Sequence, residues 1–140
     1  MPFAQKPSMA VHNPRPENAI RALFADDVYS ALREILRPYE DDLAVKTDRP
    51  GHCYLETRSP SFNGRRMFFA AAKVKKRYVS YYLPALYMFQ ELSNTISPTL
   101  RKTMQGHSCF NFTALQPDCL EELTRLTRAC FFMLKSKMLL

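Results

Sequence analysis

Residues 65–84 read Arg-Arg-Met-Phe-Phe-Ala-Ala-Ala-Lys-Val-Lys-Lys-Arg-Tyr-Val-Ser-Tyr-Tyr-Leu-Pro. Two runs, 67–74 and 78–83, are rich in Phe, Tyr, Val and Ala, contain no Gly, and stop at Pro84. Aromatic and β-branched side chains suit a pleated, half-buried surface, so the stretch predicts a strand, a turn and a strand. Lys75-Lys76, or Val74-Lys75-Lys76-Arg77, makes the turn. Neither has the Asn-Gly chemistry that pins a two-residue hairpin, so the register must come from the side-chain pattern. A two- or four-residue loop places Phe68, Ala70, Ala72, Val79, Tyr81 and Leu83 on one face, whereas a three-residue loop turns the second strand over. The first arrangement is expected, because it gathers the apolar side chains and sends Lys73, Tyr78 and Ser80 to the wetter face.

Upstream, residues 1–16 carry Pro2, Pro7, Pro14 and Pro16 and are expected to form a flexible N-terminal arm. Residues 17–140 then form a single domain. Glu17–Leu36 predicts a helix, with Ile20, Leu23, Phe24, Val28, Ala31, Leu32 and Ile35 in one apolar stripe. Pro38 ends it. Leu43–Lys46 is a short strand or a last helical turn, Asp48-Arg49-Pro50-Gly51 a loop, and Cys53–Thr57 a strand. Ser59–Gly64 leads into the central hairpin.

Downstream, Ala85–Leu92 reads as a helix with Leu86, Phe89 and Leu92 inward. Ser97-Pro98 is a helix start, and that helix runs from Pro98 to Met104 before Gly106. Ser108–Thr113 is the last strand, with Phe110 and Phe112 in the core. A final helix over about 117–135 buries Leu120, Leu123, Leu126, Thr127, Cys130, Phe131 and Leu134. Strands without regular βα alternation predict an α+β fold. The expected sheet is antiparallel, of four to five strands around the central hairpin, with the helices mainly on one face.

The 140 residues suit one domain, and a chain of this length buries roughly two-thirds of its unfolded surface. No disulfide or metal is needed to hold it. Lys and Arg outnumber Asp and Glu by 20 to 13, which could attract nucleic acid, acidic proteins or anionic lipid. The cysteines, Cys53, Cys109, Cys119 and Cys130, have neither metal-ligand nor redox spacing and fit buried thiols of a reduced compartment. The first residues hold no apolar leader segment, and no apolar run approaches the roughly 18–20 residues that span a bilayer. A cytoplasmic monomer or homodimer without a membrane partner is expected.

Few motifs carry chemistry. Gly106-His107-Ser108-Cys109-Phe110 fails the nucleophile-elbow pattern at its fifth position and is followed by strand rather than helix. His52-Cys53 and His107-x-Cys109 would supply metal ligands only if their two strands were neighbours. Glu40-Asp41-Asp42 fits a solvated loop better than a hard-cation site. No phosphate-cradling Gly loop, EF-hand or zinc-finger spacing is present.

Tyr-Val-Ser-Tyr-Tyr-Leu-Pro-Ala-Leu-Tyr (78–87) and Ile-Ser-Pro-Thr-Leu-Arg-Lys-Thr-Met-Gln-Gly-His-Ser-Cys-Phe-Asn-Phe (96–112), following the hairpin, carry a resemblance. Over about residues 40–134 the chain resembles the YdhG-like bacterial family of unknown function. That family shares a strand–turn–strand with an Ala-Ala-x-Lys and a Val-Ser-x-Tyr signature, a Pro-containing joint, a Gly before a strand ending in Phe, and a closing helix. The resemblance implies a compact α+β sheet flanked by helices and no established catalytic residue. A frataxin-like iron chaperone has been proposed for one member, which would draw on the exposed carboxylates Asp26, Asp27 and Glu34 beside Glu40-Asp41-Asp42. Arg21, Arg33 and Arg37 on the same helix would compete by pairing with them. No tightly bound metal and no cofactor are expected.

Three functions remain in play. The first is a non-catalytic module binding a small ligand or protein partner through Lys73, Tyr78, Ser80 and Tyr82 on the sheet face that the helices leave bare. The second is nucleic-acid binding through Arg65, Arg66, Lys73, Lys75, Lys76 and Arg77, with Tyr78 available to stack. The third, an enzyme using His107, Ser108 or Cys109, requires a base within hydrogen-bond reach of a nucleophile.

Overall fold

The computed structural model describes residues 16–60 and 64–140, without the side chains of 16–24. Residues 1–15 of the expected N-terminal arm, the helix-stripe side chains Ile20, Leu23 and Phe24, and residues 61–63 of the loop before the hairpin lie outside what is described, while Pro16, expected in the arm, opens the first helix. Helix α1 spans Pro16–Leu36, and its axis gives way to a single 3-10 turn, Arg37–Tyr39, where Pro38 removes a backbone donor. Six strands follow among the described residues: β1 Ala44–Arg49, β2 His52–Glu56, β3 Phe68–Val74, β4 Val79–Tyr82, β5 Met104–Gln105 and β6 Cys109–Phe112. They form one antiparallel sheet in the order β1-β2-β3-β4-β6-β5. The chain is α+β as expected, with one strand more than the upper expectation.

The turn chemistry of Pro50-Gly51 was legible, but the loop around it is shorter than expected. Asp48 and Arg49 belong to β1 and pair with Cys53 and His52, so only two residues turn the chain. Gly51 sits at φ +79°, the left-handed conformation that follows Pro in a type II turn. Its carbonyl accepts from Val74 N–H at 2.8 Å and ties this hairpin to β3.

In the central hairpin Val74 pairs with Val79 and Ala72 with Tyr81. Lys75 N–H donates to the Tyr78 carbonyl at 2.8 Å, so the turn is Lys76-Arg77, one residue further along than expected; each residue's cross-strand partner shifts by two, which leaves the face assignment of β4 unchanged. One side chain departs from the expected face. Leu55 pairs with Ala70 but Glu56 pairs with Phe68, so Phe69 is an extra, bulged residue. Phe69 and Ala70 both enter the core, and Phe68 is turned to the opposite face.

The core face presents Cys53, Leu55, Phe69, Ala70, Ala72, Val79, Tyr81, Leu83, Phe110 and Phe112. Against it pack Val28, Leu32, Ile35 and Leu36 of α1 and Cys119, Leu123, Leu126, Cys130, Phe131 and Leu134 of α4, which spans Pro117–Ser136. Phe131 meets Phe69 edge-on at 6.0 Å, and Tyr39 packs on both rings. The buried hydroxyls of Tyr81 and Thr127 satisfy each other at 2.6 Å, which joins sheet to helix through the apolar layer.

The segment expected as one helix, 85–92, is divided. A 3-10 turn, Pro84–Tyr87, and helix α2, Gln90–Ser93, are separated at Met88-Phe89; Leu86 and Phe89 are buried as expected, and Leu92 is half-buried. Helix α3 is shorter than expected, Pro98–Arg101, because Met104 joins β5. Its start is as expected: Ser97 Oγ accepts from Leu100 N–H at 3.1 Å. Glu122 of α4 accepts from both Ser97 N–H and Ser97 Oγ, at 2.8 and 2.6 Å, and fastens this start to the last helix.

One buried charge anchors α1 to the sheet edge. Arg33 is only 3% exposed, and its guanidinium donates to Asp48 at 3.1 and 3.4 Å and to Glu40 at 3.1 Å. Burial disfavours that charge, but the two carboxylates outweigh it and hold Arg33 above its usual range.

Candidate functional site

A β-strand points successive side chains to opposite sides, so the registers fix what the other face carries. Tyr54, Ala71, Tyr82 and Cys109 are aligned across β2, β3, β4 and β6, and His52, Lys73, Ser80 and Asn111 form the next row. None of these residues belongs to the core cluster that the helices cover. Lys73 is exposed, Tyr82 half-buried and Ser80 buried between its larger neighbours. Three of the four expected ligand-binding residues therefore share the face without helices.

Its centre is aromatic. Tyr54 and Phe68 stack at 4.3 Å with their planes 11° apart, and Phe68 meets Tyr82 at 6.4 Å. Cations border the row at both ends. Lys46 Nζ lies 5.1 Å from the Tyr54 ring centre and Lys75 Nζ 5.6 Å from that of Tyr82. The Tyr82 hydroxyl beside it holds the Lys75 ammonium above its usual range. Burial, with Lys73 and Arg49 nearby, holds His52 below its ordinary value, so its imidazole is neutral at pH 7. Beside the aromatics runs a polar row: Ser80 Oγ donates to Asn111 Oδ1 at 2.7 Å, and Asn111 Nδ2 donates to Gln105 Oε1 at 3.0 Å. Phe68 and Tyr54 were missed by the sequence reading. Tyr54 sat in a strand whose faces were not assigned, and Phe68 was moved here by the bulge.

Tyr78 lies one residue before β4, where it closes the hairpin turn; Tyr82 and, more weakly, Tyr78 both act on the Lys75 ammonium, and Tyr78 also lines a pocket at the end of the sheet together with Lys75, Lys76 and Arg77. The basic residues expected to act together on nucleic acid are divided. Arg65 and Arg66 precede β3 while Lys75–Arg77 follow it, and its seven residues at about 3.3 Å each set them roughly 23 Å apart. Arg66 in addition faces Glu56 at 3.9 Å.

Strands β2 and β6 are separated by β3 and β4, three strand spacings or roughly 14 Å, so His52-Cys53 and His107-x-Cys109 are not neighbours. Cys53 also faces the core while Cys109 faces away from it. Asp26, Asp27 and Glu34 are exposed on α1, where Glu34 is paired with Arg37 and Glu40 is drawn onto Arg33. Among the described residues no three His, Cys, Asp or Glu side chains converge as a metal-holding group. His107 packs edge-on against Tyr87 at 5.6 Å, and Cys109 donates to Asn111 at 3.5 Å rather than to a histidine. Burial raises the Cys109 thiol, the wrong direction for a nucleophile at neutral pH.

No protein-family model matches the chain, and no curated protein or solved structure matches it significantly. Among the described residues no helix is long and apolar enough to cross a membrane.

Proposed function

We propose that the protein is a non-catalytic, YdhG-like binding module whose helix-free sheet face docks an acidic protein segment that also carries aromatic or apolar side chains. The observation that carries this reading is the row Tyr54–Phe68–Tyr82 set between Lys46 and Lys75, with Lys73 exposed beside it. Aromatic side chains beside cations give a partner both apolar contact area and charge complementarity. The element order, a hairpin, a Pro-containing joint, a strand ending in Phe and a closing helix, is compatible with the family resemblance. Its setting is a reduced cytoplasm.

Single-stranded nucleic acid is the second reading, since the same face joins aromatics to lysines. It is less favoured because base stacking needs a free ring face, and Tyr54 is already crowded by Phe68 and Lys46.

Fluorescence anisotropy with a labelled glutamate–tyrosine copolymer tests the proposal, with polyglutamate and oligothymidylate as comparisons. The copolymer should bind best, weaken as salt rises, and lose about tenfold in affinity in the Lys73→Glu, Tyr82→Ala double variant. Tighter binding of oligothymidylate would transfer the face to nucleic acid. Copolymer binding that the double variant leaves unchanged would remove this face from consideration.

A further inference from the structure

The pocket at the end of the central hairpin, of about 510 Å³, shares Lys75 with the border of the aromatic row. Its floor is apolar: Ala25 and Val28 come from α1, Val79 from β4 and Phe112 from β6. Val28, Val79 and Phe112 are each at most 1% exposed, so the floor is continuous with the hydrophobic core. Its rim is the β3–β4 turn. Lys76 and Arg77 are exposed there and pair with no carboxylate among the described residues, and Tyr78 stands half-buried beside them. No acidic side chain lines the cavity among the described residues.

We infer that this pocket binds a small organic anion with an aromatic or compact apolar body. Its volume lies within the roughly 300–1,000 Å³ typical of small-molecule sites. The apolar body would pack on Ala25, the Tyr78 ring and the aliphatic stems of Lys76 and Arg77, which, unlike Val28, Val79 and Phe112, still expose surface to water. The anionic group, a sulfonate, carboxylate or phosphate, would meet Lys76 and Arg77 at the mouth, with the Tyr78 hydroxyl as a further donor. Neither half suffices: a bare anion gains nothing from the floor, and an uncharged body leaves two unpaired cations at the rim. Lys76 and Arg77 in a turn between aromatic strands discourage aggregation wherever they stand. Only here do they overhang an apolar cavity.

The probe is 1-anilinonaphthalene-8-sulfonate, titrated by fluorescence into the full chain beside N-phenyl-1-naphthylamine, which lacks the sulfonate, and inorganic phosphate. The sulfonate should bind saturably, with the uncharged analogue and phosphate each about tenfold weaker or more. Lys76→Glu with Arg77→Glu should reduce its affinity about tenfold, and both side chains are exposed, so the fold is spared. Ala25→Trp, which fills the floor without altering charge, should reduce it comparably. Tyr54→Ala, on the helix-free face and away from Lys75, should leave it unchanged. Equal binding of the uncharged analogue, no saturable binding, or affinity retained in both pocket variants would overturn the assignment. Loss of the probe in Tyr54→Ala alone would likewise overturn it, placing the dye on the other face.

Discussion

Arg33 shows how much one side chain decides. It joins α1 to β1 by donating to Asp48 and Glu40 while itself almost wholly buried. Helical spacing suggested that it would neutralise carboxylates of its own helix; in the fold it reaches a strand fifteen residues on. Removing one partner of a buried pair strands the other. Here the stranded groups are carboxylates with side chains 28% and 50% exposed, so water takes part of the load. Arg33→Met is expected to cost about 2 kcal/mol, below the usual range for fully buried pairs. Arg33→Lys should recover less than half, because one ammonium cannot reproduce the forked geometry. Urea midpoints measure both. An unchanged midpoint in Arg33→Met would show that packing of the methylene stem, rather than the ion pairs, is what matters.

At the scale of elements, hairpins set the geometry of the helix-free face. The Pro50-Gly51 turn holds β1 against β2, and the Gly51 carbonyl extends the connection to β3. A Cβ on Gly51 would meet Val74 at 3.5 Å, an ordinary contact, so any cost comes from the positive φ rather than from crowding. Gly51→Ala should therefore destabilise the protein by about 1 kcal/mol. It should also raise hydrogen exchange at His52 and Val74 before it does so in β4 and β6, since the outer hairpin opens first. Uniform acceleration across all strands would mean that the sheet opens as one unit. The bulge at Phe69 works at the same scale. It lets two adjacent residues enter the core and gives Phe68 to the aromatic row.

Over the whole molecule, two helices on one side of the sheet leave its faces chemically unlike, and the cysteines record the difference. Cys53, Cys119 and Cys130 lie within the helix-covered core, whereas Cys109 is half-buried on the open face. Burial raises all four thiols and pushes Cys130 up to about 12. A thiol reagent at pH 8 should modify Cys109 first and the other three only at the rate of larger openings. Denaturant should release all four together. Cys109→Ser should abolish the early phase. An early phase that survives this change would show that a core cysteine is reached through local motion of a helix.

Local chemistry was enough to predict much of the architecture. The α1 and α4 stripes, the Ser97 cap, the Pro50-Gly51 turn and the alternation of β4 and β6 each depend on residues a few positions apart, whose spacing alone selects a helix face or a strand face. These features led to an α+β fold with helices on one side, and from there to Lys73, Ser80 and Tyr82 on the open face. The remainder depended on partners distant in sequence. Phe68 changed faces because β3 had to fit an extra residue against β2, an event invisible within either strand. Tyr78 became a turn residue because it pairs with Lys75, which the cross-strand register decides. Residues 85–92 keep Leu86 and Phe89 buried, as one helix would, yet divide at Met88-Phe89, and no residue within the segment signals that break. The acidic residues near α1 did not remain one patch, since buried Arg33 drew Glu40 and Asp48 to itself. Periodicity records which way a side chain points from its own backbone; where it arrives is decided by whatever is packed opposite.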